Sequence, residues 1–288
     1  MIVQRLRHPI VLAHGLFGFR RIGLGRFTVA SYFRGIAEFL RAGGNRVLVS
    51  RVPSIAGVEF RASVLSAEIE RAFPGQAVHL IGHSMGGLDA RRLVARREWS
   101  WRLLSLTTIA TPHLGTTLAD LARTRVGPAY RVFEALGIDH RGFLDITRDA
   151  AARALTAEAI PSTLPMFCVA GVPQEEDVCW PLRRLYAVLN AHEGPNDGLV
   201  SRTSALGCGT PLPDWPVDHL RQMNWFNPPT GSSSRMAVRL SYAALLENLV
   251  SQGFETLEAV ETPWVFSGRW EERDEPVPSL VGAGDDLS

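Results

Sequence analysis

The stretch Val78–Leu88 reads VHLIGHSMGGL, and it decides the fold prediction. Apolar residues lead up to Gly82, and a helical pattern follows from Leu88 to Arg97. A serine between two glycines at a sharp turn from strand to helix has a strained backbone that raises its hydroxyl above the sheet. The glycines are needed because side chains there would collide with neighbouring backbone. We therefore predict that Ser84 is a nucleophile; an inert serine in a glycine-rich turn is the alternative.

Strands and amphipathic helices alternate on both sides of this stretch. Short apolar runs predict strands at Ile10–Ala13, Arg46–Val52, Val78–Ile81, Leu103–Ile109 and Pro165–Ala170. Apolar residues at helical spacing predict helices at Val29–Leu40, Gly57–Phe73, Leu88–Arg97 and Val238–Val250. Buried strands between amphipathic helices are typical of an α/β fold, in which a mostly parallel central sheet carries helices on both faces. We predict that fold class.

The chain has 288 residues, enough for one large α/β domain. We predict a single domain over 1–265 and a flexible acidic tail over 266–288, because the C-terminal residues are rich in Asp, Glu, Pro and Gly. Between 116 and 160 the alternation stops, and only broken helical segments remain at Leu118–Arg125, Ala129–Leu136 and Phe143–Leu155. We predict that this insertion is a helical lid; extra helices packed on the core are the alternative.

The composition argues against several classes of partner. A formal net charge of +1 gives no reason to expect nucleic acid or an acidic membrane surface. The N-terminal residues lead directly into a core strand, which leaves no room for a signal peptide, and no apolar run is long enough to span a bilayer. Three cysteines make no disulfide framework, although Cys179 and Cys208 could pair. We expect a cytoplasmic protein; a secreted mature form is the alternative, and the oligomeric state is left open.

A serine hydroxyl needs a base, usually an imidazole that a carboxylate orients. After a strand–serine–helix turn, the expected order along the chain is nucleophile, acid, histidine. The histidines that follow Ser84 are His113, His140, His192 and His219. We choose His219 as the base, because it comes late and lies on an irregular segment before a helix-like stretch. For any one of these histidines, a structural role is the alternative.

Asp197 is the preferred acid. It lies between Ser84 and His219 in the chain, and turn-forming dipeptides around it place it at a loop end, within reach of an imidazole. An ordinary turn aspartate is the alternative. Asp177, Asp214 and Asp218 are weaker candidates, and Asp218 would point away from its neighbour His219 on extended backbone.

Acyl transfer also requires N–H donors for the developing oxyanion. Met85 follows the nucleophile at a helix N-terminus and supplies one such donor. The loop after the first strand, His14–Gly18, can approach closely through its glycines, and the Leu16 N–H is our choice for the second donor. Leu16 and Phe17 would also offer an apolar surface to an acyl chain.

Five motifs now stand in order along the chain: HGLFGF from His14, GHSMGGLDAR from Gly82, TPHLG from Thr111, NDGLV from Asn196 and DHL from Asp218. Together they resemble those of bacterial triacylglycerol lipases of the α/β-hydrolase superfamily, over roughly residues 9–226. The resemblance implies a triad, an oxyanion hole and a helical lid after the TPH motif. The triad would be Ser84, Asp197 and His219, and the oxyanion hole would be formed by Leu16 and Met85.

The same resemblance implies a serine hydrolase that cleaves acylglycerols or similar lipid esters through an acyl-enzyme on Ser84. We place Phe17, His83, His113 and Leu114 around the substrate pocket. No cofactor is expected. The expected partner is a small-molecule or lipid ester substrate, and transient contact with a lipid interface is possible. The alternatives are an acyltransferase or polyester hydrolase on the same triad and a catalytically silent binding protein of the same fold.

The sequence departs from the lipase pattern at the calcium site that this family usually carries. Asp177 stands where the first ligand is expected, but Arg221 stands at the second and Trp225 at the glutamine position. A guanidinium cannot ligate a cation. We therefore expect no metal, with Arg221 paired to Asp177 in its place. Thr203 also stands near the position of a cysteine that forms a disulfide in relatives.

Overall fold

The structure of the protein is a computed structural model that describes residues 3–16, 22–24, 27–30, 32–96, 100–124 and 141–258. The strands are β1 (Ile10–Ala13), β2 (Ile22–Leu24), β3 (Phe27–Ala30), β4 (Val47–Val49), β5 (Ala77–His83), β6 (Arg102–Ile109), β7 (Met166–Val169) and β8 (Thr210–Pro211). The helices are α1 (Ile36–Ala42), α2 (Val58–Ala72), α3 (Met85–Arg96), α4 (described over 117–124), α5 (Arg141–Asp145), α6 (Arg148–Ala157), α7 (Arg183–Glu193), α8 (Arg202–Ala205) and α9 (Arg235–Ser251). Two short 3₁₀ helices lie at Glu175–Asp177 and Arg221–Met223.

Six strands form one sheet in the order β4-β1-β5-β6-β7-β8, and every neighbouring pair is parallel. A separate antiparallel pair joins β2 to β3. Because the strands of the main sheet run in the same direction, their carboxyl ends lie along one edge, where open α/β sheets bind ligands. The segments that follow β1, β5, β6 and β7 therefore converge at that edge.

The sheet is apolar on both faces. In β1, Ile10 and Leu12 pack into a core shared with α1 and α9, whereas Val11 and Ala13 pack into a second core shared with α2 and α3. Successive side chains of a strand point to opposite faces, so a continuous apolar strand requires helices on both sides. The prediction of a mostly parallel sheet covered on both faces is confirmed.

The first half of the chain contains one wrong helix boundary. The predicted helix Val29–Leu40 is a strand at its start, since Phe27–Ala30 form β3, and α1 begins only at Ile36. Gly35 has a φ of 66°, a left-handed conformation that a right-handed helix cannot include. A strand through Thr28 and Val29 agrees with the preference of β-branched residues for extended backbone.

The predicted insertion is helical in the parts that the structure describes. Within 116–124 and 141–160 there is no strand, and α4, α5 and α6 occupy these residues. The predicted helix Phe143–Leu155 is divided because Thr147 is extended and precedes α6. The segment Ala129–Leu136 and the tail 266–288 lie outside the described residues. The domain limits and the role of the insertion as a lid stay predictions.

Candidate active site

Ser84 occupies the turn between β5 and α3, and its backbone is left-handed, with a φ of 55°. A non-glycine residue rarely takes this conformation, and such strain persists only where surrounding contacts enforce it. The Ser84 N–H donates to Ile109 O over 2.8 Å, and the Ser84 carbonyl accepts from Thr111 Oγ1 over 2.9 Å and from Gly87 N over 3.0 Å. The backbone of the predicted nucleophile is therefore clamped on both sides.

The two glycines that flank Ser84 are required by close backbone contacts. A Cβ on Gly82 would lie 2.6 Å from Gly87 Cα, and a Cβ on Gly86 would overlap the carbonyl oxygen of Ala13. Both gaps are too small for any side chain, so α3 can start directly above β5 and beside β1 only with glycine at these places. The sequence-based explanation of the motif is confirmed.

Asp197 and His219 form a buried pair. His219 Nδ1 lies 2.7 Å from Asp197 Oδ2, and both residues are almost fully inaccessible to solvent. The other carboxylate oxygen, Oδ1, accepts the N–H groups of Leu199 and Val200 over 3.0 and 2.8 Å. Because Nδ1 is committed to the carboxylate, Nε2 is the imidazole nitrogen left to act on a serine.

His83 connects the positions of Ser84 and His219. The ring of His83, the residue before Ser84, packs with its centroid 4.6 Å from the ring centroid of His219. Among the described residues, no hydrogen bond joins Ser84 Oγ to His219. In enzymes without bound substrate this bond is often long and tightens only in the complex. The structure thus brings His219 and Asp197 together and sets them against the strand end that carries Ser84.

The loop after β1 reaches the same point. A Cβ on Gly15 would lie 2.7 Å from Ser84 Cβ and 3.1 Å from Ser84 Oγ, so only a glycine can pass this close to the serine. Leu16 is the next residue. Met85 is the first residue of α3, so its N–H has no acceptor within its own helix. The two predicted oxyanion donors therefore lie on backbone that borders Ser84.

Two predicted pocket residues, His83 and His113, are buried. His83 is fully buried, with Nδ1 2.8 Å from Tyr32 Oη and Nε2 2.9 Å from Gln222 Oε1. His113 is also fully buried, with its ring nitrogens 3.1 Å from Arg91 Nη1 and 3.1 Å from Thr108 Oγ1. Both ring nitrogens of each histidine are therefore used inside the protein, and the role of the two residues in lining the pocket stays a prediction.

Of the other two predicted pocket residues, Leu114 is partly exposed, and its N–H donates to Ser204 Oγ over 3.1 Å. Phe17 lies outside the described residues. Gly142 in α5 is packed against the oxyanion loop, since a Cβ on it would lie 2.9 Å from Leu16 Cδ2. Part of the predicted lid region therefore contacts the loop that would bind the oxyanion.

Burial favours the neutral form of His83 and His113 by lowering the pKa of both. It lowers the pKa of His83 well below the usual 6.5, and the neighbouring His219 lowers it further. Burial is also the largest cause of the lowered pKa of His113, with Arg91 as the second. Neutral imidazole has one donor and one acceptor nitrogen, so each of these rings can join two groups of opposite hydrogen-bonding character.

Sequence reasoning missed Tyr32 and Gln222. Gln222 lies three residues after the predicted base and donates from Nε2 to Asp197 Oδ2 over 3.0 Å. Tyr32 Oη accepts the Gly15 N–H over 3.0 Å. A motif search could have singled out Gln222 only through its spacing from His219, whereas Tyr32 stands in the segment predicted as helix and carries no local signal.

The weaker acid candidates have other roles. Asp218 is fully buried, but its carboxylate accepts the N–H groups of Cys179, Leu220 and Arg221, so it caps the 3₁₀ helix after His219 and does not face the imidazole. Asp214 pairs with Arg202 at the surface, with 2.6 Å between Nε and Oδ2. These contacts leave Asp197 as the acid that pairs with His219.

The guanidinium of Arg221 contacts Asp177, as the predicted pairing requires, but through the backbone carbonyl of Asp177. Arg221 Nη1 donates to the backbone carbonyl of Asp177, and Arg221 Nε lies 3.4 Å from the carboxylate of Asp218. Asp177 belongs to a 3₁₀ helix that turns its carbonyl toward Arg221. Among the described residues no group of three or more His, Cys, Asp or Glu could hold a metal ion. The residues at this place do not fit calcium, because a cation already occupies it.

The cysteines are unpaired. Cys168, Cys179 and Cys208 are all free, so the pair left open between Cys179 and Cys208 is not formed. Burial raises the pKa of the Cys179 thiol to about 12 and that of Cys168 to about 11, which keeps both as thiols. In the part of the chain that the structure describes, no helix is long and apolar enough to cross a membrane. The cytoplasmic location stays a prediction.

Comparison with known proteins agrees with the fold and the motifs. No model of a known protein family matches the chain. Triacylglycerol lipase 2 of Saccharomyces cerevisiae is 30% identical over 214 residues, which cover 68% of this chain and 63% of that protein. The triacylglycerol lipase of Pseudomonas fragi is 38% identical over 125 residues, which cover 42% of this chain and 40% of that protein. The chain thus spans less than two thirds of the length of these named relatives.

Solved structures with similar folds are more complete matches. The Staphylococcus hyicus lipase superposes with a TM-score of 0.65 at 18% identity and covers 86% of this chain and 97% of its own. A metagenomic carboxyl esterase superposes with a TM-score of 0.66 at 19% identity and covers 84% of this chain and 76% of its own. At these identities the likeness establishes the fold alone. The protein therefore has the α/β-hydrolase fold and is a homologue of proteins named triacylglycerol lipase.

Proposed function

We propose that the protein is a serine carboxylic-ester hydrolase that cleaves acylglycerols or similar lipid esters through an acyl-enzyme on Ser84. The observation that carries the proposal is the strained Ser84 at the β5–α3 turn, next to the buried His219–Asp197 pair. A serine in this setting has a partly accessible residue surface, a base and an orienting carboxylate, which are the parts that nucleophilic acyl transfer needs. Homologues named triacylglycerol lipase support the same reaction.

Acylation of Ser84 follows from these positions. His219 Nε2 takes the Ser84 Oγ proton while Oγ bonds to the ester carbonyl carbon, and the carbonyl oxygen becomes an oxyanion. The N–H groups of Leu16 and Met85 hold that oxyanion. When it collapses, the bond to the alcohol oxygen breaks, and His219 gives its proton to the departing alkoxide. Asp197 stays ionised throughout, holds the imidazole in the required tautomer and stabilises the imidazolium.

Deacylation repeats the same steps with water. His219 takes a proton from a water molecule as its oxygen bonds to the acyl carbon, and the second oxyanion is held by the same N–H groups. Collapse breaks the bond between the acyl carbon and Ser84 Oγ, and the proton returns to that oxygen. A carboxylic acid leaves. The reaction consumes one ester and one water and requires no cofactor.

The decisive experiment is labelling with a fluorophosphonate probe, combined with hydrolysis of p-nitrophenyl esters of graded chain length. The wild-type protein should be labelled at Ser84 and turn over the esters, and Ser84→Ala should lose both activities with an unchanged melting temperature. Ser63→Ala, at an exposed position of α2, is the control and should behave like the wild type. Turnover retained by Ser84→Ala, or a folded wild-type protein without labelling or turnover, would refute the proposal.

A second set of assays separates the substrate classes. Release of fatty acid from an emulsified triacylglycerol supports lipid esters as substrates, whereas turnover of short soluble esters alone restricts the function to that of an esterase. Adding an alcohol acceptor tests acyl transfer, which would divert the acyl group from water to a new ester. Each result leaves Ser84 as the nucleophile and changes only the acceptor or the acyl chain.

A further inference from the structure

A continuous line of buried hydrogen bonds connects the oxyanion loop to the acid of the triad. It begins at the Gly15 N–H, passes through the side chains of Tyr32, His83 and Gln222, and ends at Asp197 Oδ2. The successive donor–acceptor distances are 3.0, 2.8, 2.9 and 3.0 Å. Tyr32 is 5% exposed, and His83 and Gln222 are fully buried, so water does not compete for these bonds.

Only one arrangement of protons satisfies all of these bonds. The Asp197 carboxylate is an acceptor, so the amide NH₂ of Gln222 must face it and the amide oxygen must face His83. His83 then carries its proton on Nε2, and its Nδ1 accepts the Tyr32 hydroxyl proton. The Tyr32 oxygen in turn accepts the Gly15 N–H. Burial lowers the pKa of His83 and raises that of Tyr32, which keeps both groups neutral, as this arrangement requires.

Other contacts hold the three residues against each other. The segment of Tyr32 is tied to the segment after His219, because Trp225 Nε1 donates to Tyr32 O over 3.0 Å and Arg34 N donates to Met223 O over 3.2 Å. Gly171 makes room for Gln222, since a Cβ there would overlap Gln222 Nε2. The three side chains thus come from three separate parts of the chain and meet at the carboxyl edge of the sheet.

We propose that Tyr32, His83 and Gln222 are positioning residues that act as one bridge, which fixes the oxyanion donors relative to the Asp197–His219 pair. The inference rests on the proposed function, since it assigns a role in the same acyl transfer. Through Gly15 the bridge sets the backbone that leads to the Leu16 N–H, and through Gln222 it gives Asp197 Oδ2 a second donor beside His219 Nδ1. It also holds the His83 ring against His219. Misplacement of either end would lower the rate of acylation.

Charged and titratable groups face the bridge from several elements. His219 and Asp197 lie at one end, and Arg61, Asp89 and His14 lie around Tyr32 at the other. The Tyr242 hydroxyl donates to the Gln222 carbonyl over 3.2 Å. Gln222→Met removes a neutral donor from Asp197 Oδ2, so the carboxylate holds the imidazolium of His219 more strongly. The acidic limb of the kcat/KM profile should therefore move to higher pH in Gln222→Met. Tyr32→Phe acts at the end of the bridge that is farther from Asp197 and should leave the acidic limb of the kcat/KM profile at the same pH.

The test is a double-variant cycle on a soluble p-nitrophenyl ester. Tyr32→Phe and Gln222→Met should each lower kcat about 10- to 100-fold while changing KM little, because each breaks buried hydrogen bonds. If the bridge acts as one unit, the double variant should fall by clearly less than the product of the two single effects. A multiplicative result, or an unmoved acidic limb in Gln222→Met, would overturn the proposal.

The matched control is His79→Asn, which removes a second buried histidine of β5, whose ring Nδ1 lies 2.8 Å from Ser105 Oγ. It should cost stability without changing kcat, and its effect combined with Tyr32→Phe should be multiplicative. Variants that unfold are recognised by circular dichroism. If the wild-type protein hydrolyses no ester, the proposed function fails, and the bridge is tested by the ¹⁵N shifts of the His83 ring. A neutral Nε2–H ring that loses its Nε2 hydrogen-bond shift in Gln222→Met supports the bridge, and any other tautomer refutes it.

Discussion

His219 and Asp197 are joined twice. Besides the 2.7 Å bond between Nδ1 and Oδ2, the His219 N–H donates to the Asp197 carbonyl over 2.9 Å. The backbone bond fixes the distance between the two segments, and the side-chain bond fixes the rotation of the imidazole. The proposed base and acid are therefore held together by both bonds in the free protein.

Asp197→Asn should abolish most activity while the fold persists. The NH₂ group of the new amide would face the N–H donors of His219 and Gln222. Alternatively, the imidazole of His219 would change to the tautomer that carries its proton on Nε2, and Nε2 could then not accept a proton. A loss in kcat of about 10³- to 10⁴-fold is expected by analogy with the same change in serine proteases. Asp214→Asn, which affects only the surface pair with Arg202, is the control and should leave kcat unchanged. Similar kcat values for the two variants would contradict the role of Asp197.

The two glycines that flank Ser84, Gly82 and Gly86, should not tolerate replacement by alanine. Gly86→Ala would push a methyl group into the carbonyl of Ala13 and force α3 away from β1. We expect a loss of about 3 kcal/mol or more in the free energy of unfolding, measured by urea titration, because backbone cannot yield as a side chain can. Gly231→Asn is the control, since its Cβ would have open space and asparagine tolerates the positive φ there. Equal losses in both variants would show that packing around Ser84 is not the cause.

Stability should fall as the solution becomes acidic, in part because of buried histidines. Burial lowers the pKa of both His14 and His79 from 6.5 to about 4. Between about pH 4 and pH 6.5 the unfolded chain therefore binds protons at these two histidines that the folded protein does not bind. The stability of the folded protein is unaffected by them above about pH 6.5 and decreases as the pH falls toward about 4. Each such proton changes the free energy of unfolding by about 1.4 kcal/mol per pH unit.

His79→Asn removes one of these protons and should flatten the pH dependence by about that slope. Urea titrations of the wild type and the variant at several pH values between about 4 and 7 measure the difference. Parallel curves over the whole range would mean that His79 takes up its proton equally in both states.

The sharp turn at Ser84, its flanking glycines and the Asp197–His219 pair could all be predicted from the sequence. The reason is that each lies in a short motif whose backbone shape is set locally, and their order along the chain restricts the choice. What the sequence could not reveal is how His83 is used. Its side chain bonds Tyr32, 51 positions away, and Gln222, 139 positions away, and neither separation has a local signature.

The contacts of His113 have the same kind of origin. Its motif follows β6, which places its backbone at the carboxyl edge of the sheet. The direction of its ring depends on Arg91 in α3, which itself pairs with Glu158 at the end of α6, with 2.6 Å between Nε and Oε2. The buried guanidinium of Arg91 bonds the neutral imidazole of His113, and the local sequence around His113 does not indicate this contact. Motifs therefore predicted the pairing of Asp197 with His219, but they did not indicate buried contacts such as those of His83 and His113, whose partners lie in other elements.

The tether of the His219 segment should not need a metal. Arg221 bonds the Asp177 carbonyl and the Asp218 carboxylate, and its side chain is only 14% exposed. We expect a chelator such as EDTA to leave ester turnover and melting temperature unchanged. A loss of activity on chelation, with recovery on added calcium, would show that a cation binds here despite the guanidinium.

Arg221→Ala should loosen this tether. The variant leaves a buried carboxylate with one partner fewer, and we expect a loss of about 1–2 kcal/mol in the free energy of unfolding and a lower kcat. Arg202→Ala is the control, because its pair with Asp214 is exposed and should contribute less than about 1 kcal/mol. The difference in kcat between the two variants tests the role of Arg221, because Arg221, unlike Arg202, lies two residues after the proposed base His219. If the two variants lose stability equally and keep full turnover, Arg221 is an ordinary surface residue and the position of His219 is maintained by Asp197 and Asp218 alone.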